Sequence, residues 1–473
     1  MDGNEARHSA AHYFLEGLNE LGFDYLFCNF GTDHAPLIEA MASFKRAGRD
    51  MPTTILCPHE NTAVHMAAGY AIATGRGQGV MVHVDAGTAN SAMALHNLCR
   101  ARIPVLLMAG KAPYTTRGEL LGTRDTYVHF VQEPFDQASI VRPYTKWEYD
   151  LPCGVIAKEA LRRAHTVMES DPKGPVYMTF RREILTENWD EGAIHAYPAE
   201  RFGAVSARGL DAGSIDAIAT KLLVAQRPLL ISAYAGRNHA IVAVLDELAR
   251  FAGIRVVEFN PLYVNLPHDS PCHGGFTPAN ALAEADVGLL VDVDVPWIPS
   301  DMPDNPATWW AHVDVDPEKR NFPMWTFPGN LRLQGDSHRI LADLLAALKA
   351  RADAGFRARA AARVAALQEE GAARRDQATK AAANRGVAGE INPHFLCATL
   401  AKALAPSDIV LNEAIRNGPV VSAQMPRTQA GTLVGLAGGG LGFSGGMALG
   451  LKLAMPERTI VQIVGDGTFY FSN

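Results

Sequence analysis

Two carboxylates, one toward each end of the chain, have neighbours suited to chemistry. Glu60 lies in Pro58-His59-Glu60-Asn61, ahead of the Ala-rich run 62–73, and Asp466 stands between Gly465 and Gly467 after the β-branched run 459–464. A carboxylate that opens a helix is ordinarily a first-turn residue stabilised by the helix dipole. In a dry cleft its protonated form is favoured instead, and it can work as an acid or base. Asp466 has no bulky neighbour and can reach a hard cation such as Mg2+. Upstream, Gly438-Gly439-Gly440-Leu441-Gly442 lets backbone N–H groups approach a phosphate closely. Together these glycine-rich pieces read as a diphosphate–metal site; the plain alternative is a tight turn with a solvated aspartate. Two histidines stand near strand ends, His83 in Val82-His83-Val84-Asp85-Ala86-Gly87-Thr88 and His34 in Gly31-Thr32-Asp33-His34. An imidazole near its ordinary value can take or give a proton at neutral pH.

Such residues need a frame that gathers strand ends, and the hydrophobic pattern supplies one. Ala11, Phe14, Leu15, Leu18 and Leu21 recur at helical spacing, with Gly22 placed to end the helix. Strands are expected at 25–30, 53–57, 79–84, 105–108 and 176–180, separated by helical or loop segments, which implies a parallel sheet with helices on both faces. This first domain covers 1–190, and the polar stretch 184–207 reads as a linker. A second α/β domain, 205–350, has strands at 228–232, 255–259, 287–291 and 311–315. No G-x-G-x-x-G follows them, so NAD is not expected. His268 and His273 read as loop residues at the surface. Residues 351–387, rich in Ala, Arg and Glu, read as a solvated helical linker. A third domain, 388–473, carries a strand at 407–411 followed by Asn412-Glu413-Ala414-Ile415. The fold class is α/β, with three doubly wound parallel-sheet domains.

The 473 residues are 48% hydrophobic and 20% charged, with net charge −7. Nothing in that balance calls for nucleic acid or an anionic membrane surface. No apolar run approaches membrane-spanning length, and residues 1–20 lack a signal-peptide pattern. Six cysteines without C-x-x-C spacing fit reduced thiols inside a cell, so a soluble cytoplasmic protein is expected.

His59-Glu60 before the helix containing Gly69-Tyr70-Ala71 and Thr74-Gly75 resembles the pyrimidine-binding domain of thiamin-diphosphate enzymes. The Gly438–Gly442 stretch with Gly465-Asp466-Gly467 resembles the start of their diphosphate-binding domain. The resemblance is to the acetolactate synthase, benzoylformate decarboxylase and benzaldehyde lyase group, and it spans essentially the whole chain. It implies that Glu60 hydrogen-bonds the cofactor's pyrimidine N1′ and drives the tautomerisation by which the thiazolium C2 proton is lost. His83 falls on an active-site histidine of benzoylformate decarboxylases, and Gln132, in Val131-Gln132-Glu133, on an active-site glutamine of benzaldehyde lyase-like enzymes. His34 could enter the same cleft. Asn412, Glu413, Ala414 and Ile415 would contact the diphosphate together with Gly439, Gly465, Asp466 and Gly467, and Asp466 would ligate Mg2+. Leu441 matches the apolar wedge that bends the cofactor and holds its amine near C2.

Thiamin diphosphate and Mg2+ are therefore the expected cofactors. Acetolactate synthases hold a flavin in the central domain; nothing here maps onto a flavin pocket, and FAD stays open without being expected. The expected activity is that of an acetolactate synthase-like carboligase or decarboxylase acting on a 2-oxo acid or acyloin. A benzoylformate decarboxylase- or benzaldehyde lyase-like C–C lyase and a catalytically silent scaffold homologue are the alternatives. Active sites would lie at subunit interfaces of a homodimer or homotetramer, with Glu60 and Asp466 meeting across the boundary. The family's second metal ligand would fall beyond residue 473, and Asn473 is too close to Gly467 to replace it. The third domain is thus expected to be incomplete, as in a piece of a longer protein.

Overall fold

Runs of aliphatic and β-branched residues alternate with helices along the chain, and every strand pair within the three main sheets is parallel. A computed structural model describes residues 7–435 and 438–471. These divide into two compact units, the first formed by 7–206, 438–457 and 466–471, the second by 207–435 and 458–465.

In the first unit, helix α1 (Ala10–Glu20) starts at Ser9, whose hydroxyl accepts the His12 N–H at 3.3 Å, and Gly22 follows its end at φ 75°. Strands β1 (Tyr25–Asn29), β2 (Thr53–Leu56), β3 (Gln78–Val82), β4 (Val105–Lys111), β5 (Glu148–Asp150) and β6 (Val176–Arg181) form a sheet in the order β2-β1-β3-β4-β6-β5. β3 is buried throughout and β4 and β6 nearly so, as a parallel sheet covered on both faces requires. From β1 the chain adds β2 on one side and then β3 on the other. In doubly wound sheets that reversal opens a crevice at the strands' carboxyl ends. Helices α2 (Ala35–Ala47), α3 (Glu60–Thr74) and α4 (Ala86–Ala101) leave those ends.

Helix α3 is buried nearly all round because it crosses helix α5 (Ser444–Ala454) at close quarters. A Cβ built on Gly69 would sit 2.2 Å from Met447 O, and one on Gly450 would sit 2.0 Å from Met66 O. Only glycine permits that approach.

The second unit holds two parallel sheets and a short antiparallel ladder, Gly386–Val387 with Glu390–Ile391. Strands β7 (Pro228–Ser232), β8 (Arg255–Glu258), β9 (Val287–Val291), β10 (Trp309–Asp314) and β11 (Leu331–Gln334) are ordered β8-β7-β9-β10-β11. Leu230, Val256, Leu289 and Val313 pack with Leu245, Leu248, Leu341 and Leu344 from the flanking helices Ile241–Ala252 and Ser337–Arg351. A 30-residue helix, Ala354–Ala383, buries only Phe356, Ala360, Leu367 and Gly371. The third sheet, ordered β13-β12-β14, consists of β12 (Ile409–Glu413), β13 (Leu433–Val434) and β14 (Ile460–Val464).

The expected strand at 407–411 lies two residues later. The Asp408 carboxylate accepts the N–H groups of Ala405 and Thr459 and so caps the strand's start, which carries Asn412 and Glu413 into the strand itself. The expected linker at 184–207 overlaps the helix Arg182–Thr186 and contains a short strand, Asn188–Asp190, paired antiparallel with Arg7–Ser9. Among the described residues no helix is long and apolar enough to cross a membrane.

Candidate active site

The reversal between β1 and β3 pairs Asn29 with Val82 and sets the turns after both strands side by side. Asn29 Nδ2 donates to the carbonyls of Cys57 and Pro58, at 3.2 and 3.3 Å, which ties the exit of β2 to the same corner. His59 then caps α3, its Nδ1 accepting the Asn61 N–H at 3.1 Å. Glu60 is thereby fixed as the first helical residue. It is buried, and Asn90 Nδ2 of α4 donates to its Oε2 at 3.1 Å, leaving Oε1 outside that bond.

Next to it, His83 leaves the end of β3 and donates from Nδ1 to Asp33 Oδ1 through a short hydrogen bond. That bond raises the imidazole above its ordinary value against the opposing effect of burial, and the charges of Asp33 and Glu60 add to the rise. Gln132 Nε2 donates to Val84 O at 3.0 Å, so it too borders this turn. His34 is brought close but fully enclosed. Its Nδ1 accepts the Gly31 N–H at 3.0 Å, so the 3.4 Å approach of that nitrogen to Asp33 Oδ1 joins two acceptors and is not an ion pair. Burial pushes the His34 imidazole down. A buried carboxyl beside a partly exposed, carboxylate-held imidazole can exchange protons with a bound molecule.

The glycine-rich turn is held by α4. Asn97 donates from Nδ2 to Gly440 O at 2.8 Å and accepts the Gly440 N–H on Oδ1 at 3.0 Å. His96 Nε2 donates to Gly438 O at 2.7 Å. Gly439 and Gly442 take φ values of 79° and 94°, open to glycine with little strain. Leu441 projects half-buried from this clamped turn. Asn97 and His96 were not singled out from sequence, where nothing sets them apart from other polar residues of a helix.

At the carboxyl ends of the third sheet, Glu413 is buried and Asn412 Oδ1 accepts the Ala414 N–H at 3.0 Å, while Ile415 is exposed. Asp466 is exposed at the start of the turn Asp466–Phe469 after Gly465, and a Cβ on Gly467 would meet nothing within 4 Å. An open carboxylate flanked by an unobstructed backbone fits a cation with its phosphates. Glu60 with one oxygen steadied by an amide fits a ring nitrogen. Asn473 lies outside the described residues.

Two further constellations lie in the second unit. His268 and His273 are buried, contrary to the expectation of surface residues, and each places Nε2 3.0 Å from Glu258 Oε2. The three residue types could ligate a metal. However, His268 Nδ1 accepts the Arg427 N–H at 3.0 Å. Its hydrogen must then sit on Nε2, the nitrogen a metal would need bare. The cluster is organised instead around a buried carboxylate that accepts from His273 Nε2 on Oε2 and from the Asn265 backbone and side-chain N–H groups on Oε1. The second constellation is at the carboxyl ends of the central sheet. Lys319 Nζ donates to Tyr234 OH, Asp294 Oδ1 and Asp314 Oδ2 at 2.8, 2.8 and 2.7 Å. These groups satisfy one another.

Residues 8–140 match the family described as thiamine pyrophosphate enzyme, N-terminal TPP binding domain, and residues 419–473 match its C-terminal TPP binding domain. The chain is 25% identical to benzoylformate decarboxylase of Pseudomonas aeruginosa, over 98% of this chain and 81% of that protein. It is 23% identical to the acetolactate synthase large subunit of Lactococcus lactis, over 98% and 77%. Among solved structures, the thiamine diphosphate-dependent 4-hydroxybenzoylformate decarboxylase of Rhodococcus jostii superposes with TM-score 0.76 at 20% identity, covering 98% of this chain and 82% of that one. At that identity the likeness establishes the fold, parallel-sheet α/β domains.

Proposed function

The chain belongs to the thiamine pyrophosphate enzyme family, and from that premise we propose that it cleaves or forms the C–C bond beside the carbonyl of a 2-oxo acid or acyloin, with thiamin diphosphate and Mg2+. The observation that carries this reading is Glu60, a buried carboxyl steadied by Asn90 at the first sheet's reversal, with the Asp33-held His83 beside it. When bound, thiamin diphosphate would supply a nucleophilic carbon and a sink for the electron pair of the C–C bond. Residues 1–190 would serve as its pyrimidine-binding domain, 388–473 as its diphosphate-binding domain and 205–350 as the central domain.

Glu60 exchanges a proton with the pyrimidine ring nitrogen. Leu441, on the turn clamped by Asn97, would pack against the cofactor. Asp466 ligates Mg2+, and Gly439, Gly465, Gly467 and the Asn412–Glu413–Ala414–Ile415 turn receive the diphosphate. The Gln132 amide orients the substrate carbonyl. His83 gives or takes a proton at Nε2.

Carboligation of the acetolactate synthase type and decarboxylation of the benzoylformate type share all these steps but the last. A proton donor held beside Glu60 favours the decarboxylase outcome, in which a proton rather than a second carbonyl ends the cycle. A homodimer or homotetramer is proposed because the first unit leaves several large apolar side chains exposed. Leu56 on the edge strand is 72% exposed, Tyr127 is 83% exposed, and Phe130, Val131 and Phe135 stand out beside Tyr127 in sequence. The six cysteines are all unpaired, which supports a reducing, cytoplasmic setting.

Purified protein tests the reading. Thiamin diphosphate is expected to bind only with Mg2+, and benzoylformate or pyruvate to release CO2. Tight binding without turnover of any 2-oxo acid would favour the scaffold alternative, and no binding at all would defeat both.

A further inference from the structure

The Asp33–His83 contact is more deeply built than an incidental surface pair. Asp33 is 2% exposed, and its Oδ2 has no hydrogen-bond partner among the described residues. Two glycines make the slot in which the pair meets. A Cβ on Gly110 of β4 would fall 1.4 Å from Asp33 Oδ2, and one on Gly31 would fall 2.1 Å from His83 Nδ1. Any side chain at either position would push the partners apart.

We propose that Asp33 is the positioning residue of this site: by accepting the Nδ1 hydrogen of His83 it fixes the tautomer and ring orientation that leave Nε2 as the proton-exchanging nitrogen. A carboxylate can only accept, so Nδ1 carries hydrogen in both charge states and the exchange is confined to Nε2. The neighbours agree with this assignment. His34 cannot compete for Asp33, because its Nδ1 is occupied by the Gly31 N–H. His129 has its Nε2 engaged with Thr32 Oγ1 at 3.0 Å and its Nδ1 3.2 Å from Asp125. The charged or titratable groups facing His83 are therefore Asp33 and His34 from the turn after β1, Glu60 from α3, and His129 from the segment Val128–Val131. Of these only Asp33 touches the ring with a carboxylate.

The inference deepens the proposed function and rests on it for what the Nε2 proton is used for; the Asp33–His83 linkage itself can be read without turnover. In the full chain labelled with 13C at histidine Cε1, His83→Gln identifies the His83 resonance. Its titration midpoint is expected above the ordinary histidine value. In Asp33→Asn, which keeps the shape and removes the charge, the midpoint is expected to fall by about one pH unit or more. The matching limb of the kcat profile should move the same way, with thiamin diphosphate affinity unchanged. Gly110→Ala, which displaces Asp33 without altering it chemically, should lower the midpoint too if Asp33→Asn folds poorly. An unchanged midpoint in the folded variants overturns the proposal, as does a kcat limb that stays put while the midpoint moves. If wild type turns over no 2-oxo acid at any pH, the functional reading fails, and the titration still decides whether Asp33 governs His83.

Discussion

In both the first and the central sheet the chain lays down one strand, adds the next on one side and the third on the other. A crevice is therefore expected at the carboxyl ends of β1 and β3 and again at those of β7 and β9. At the first reversal His83 keeps 24% of its side chain exposed and Glu60 has Asn90 on a single oxygen. Around the second, the side chains of Lys319 and Asp314 are both 0% exposed and bonded to each other. Asp292, at the end of β9, is pushed up to about 7, chiefly by burial and also by the nearby Asp314 charge. The same topology thus gives one site whose imidazole is still accessible and one region whose charged groups are shut away from solvent, Lys319 among its carboxylates and Asp292 with an Oδ1 that has no hydrogen-bond partner among the described residues. Topology makes the corner; the exposure of its polar groups decides whether a ligand can reach them.

Substitutions can break this contrast from either side. The largest effect is expected from Glu60→Gln, which removes the exchangeable proton and keeps the amide contact. Turnover should fall by about 10²- to 10⁴-fold in steady-state assays, with little change in thermal unfolding. Lys319→Met should do the reverse. Leaving the carboxylates of Asp314 and Asp294 without their ammonium partner costs about 3–5 kcal/mol in denaturant unfolding, and the surviving folded protein should keep its kcat.

Gly450→Ala tests the scaffold beneath the first corner. Forcing a methyl against Met66 O at 2.0 Å should destabilise by about 1–3 kcal/mol. The smallest effect is a pH dependence. Burial alone would raise the Glu258 carboxyl, but His268 and His273 outweigh it and hold the group well below the usual carboxylate range. A group depressed in the folded state contributes stability above its unfolded value, near pH 4.3, and that contribution is lost as pH falls through the folded value. Unfolding midpoints of wild type should therefore drop more steeply below about pH 5 than those of Glu258→Gln.

Much of this contrast was legible in the residues. The strands at 228–232 and 287–291 fall where continuous aliphatic runs place them, because buried parallel strands need apolar residues on both faces. Glu60 and His83 were legible as groups at element boundaries. The role of Asp33 was not. It stands beside His34 in the sequence, and only the fold shows that the Gly31 N–H occupies His34 while Gly110, distant in the chain, makes room for Asp33 against His83. His268 and His273 read as surface loop residues because their partner, Glu258, lies on a strand whose burial no local pattern reveals. β11, with only Leu331 and Leu333 as apolar positions, is too short to stand out from a loop.

Glu60, from the corner of the first sheet, is proposed to activate the bound cofactor. The direct measurement is the rate at which the C2 hydrogen of bound thiamin diphosphate exchanges with deuterium, followed by acid quench and NMR in wild type and Glu60→Gln. A slowing of about 100-fold or more at unchanged cofactor occupancy is predicted; equal exchange rates in the two proteins would contradict the account.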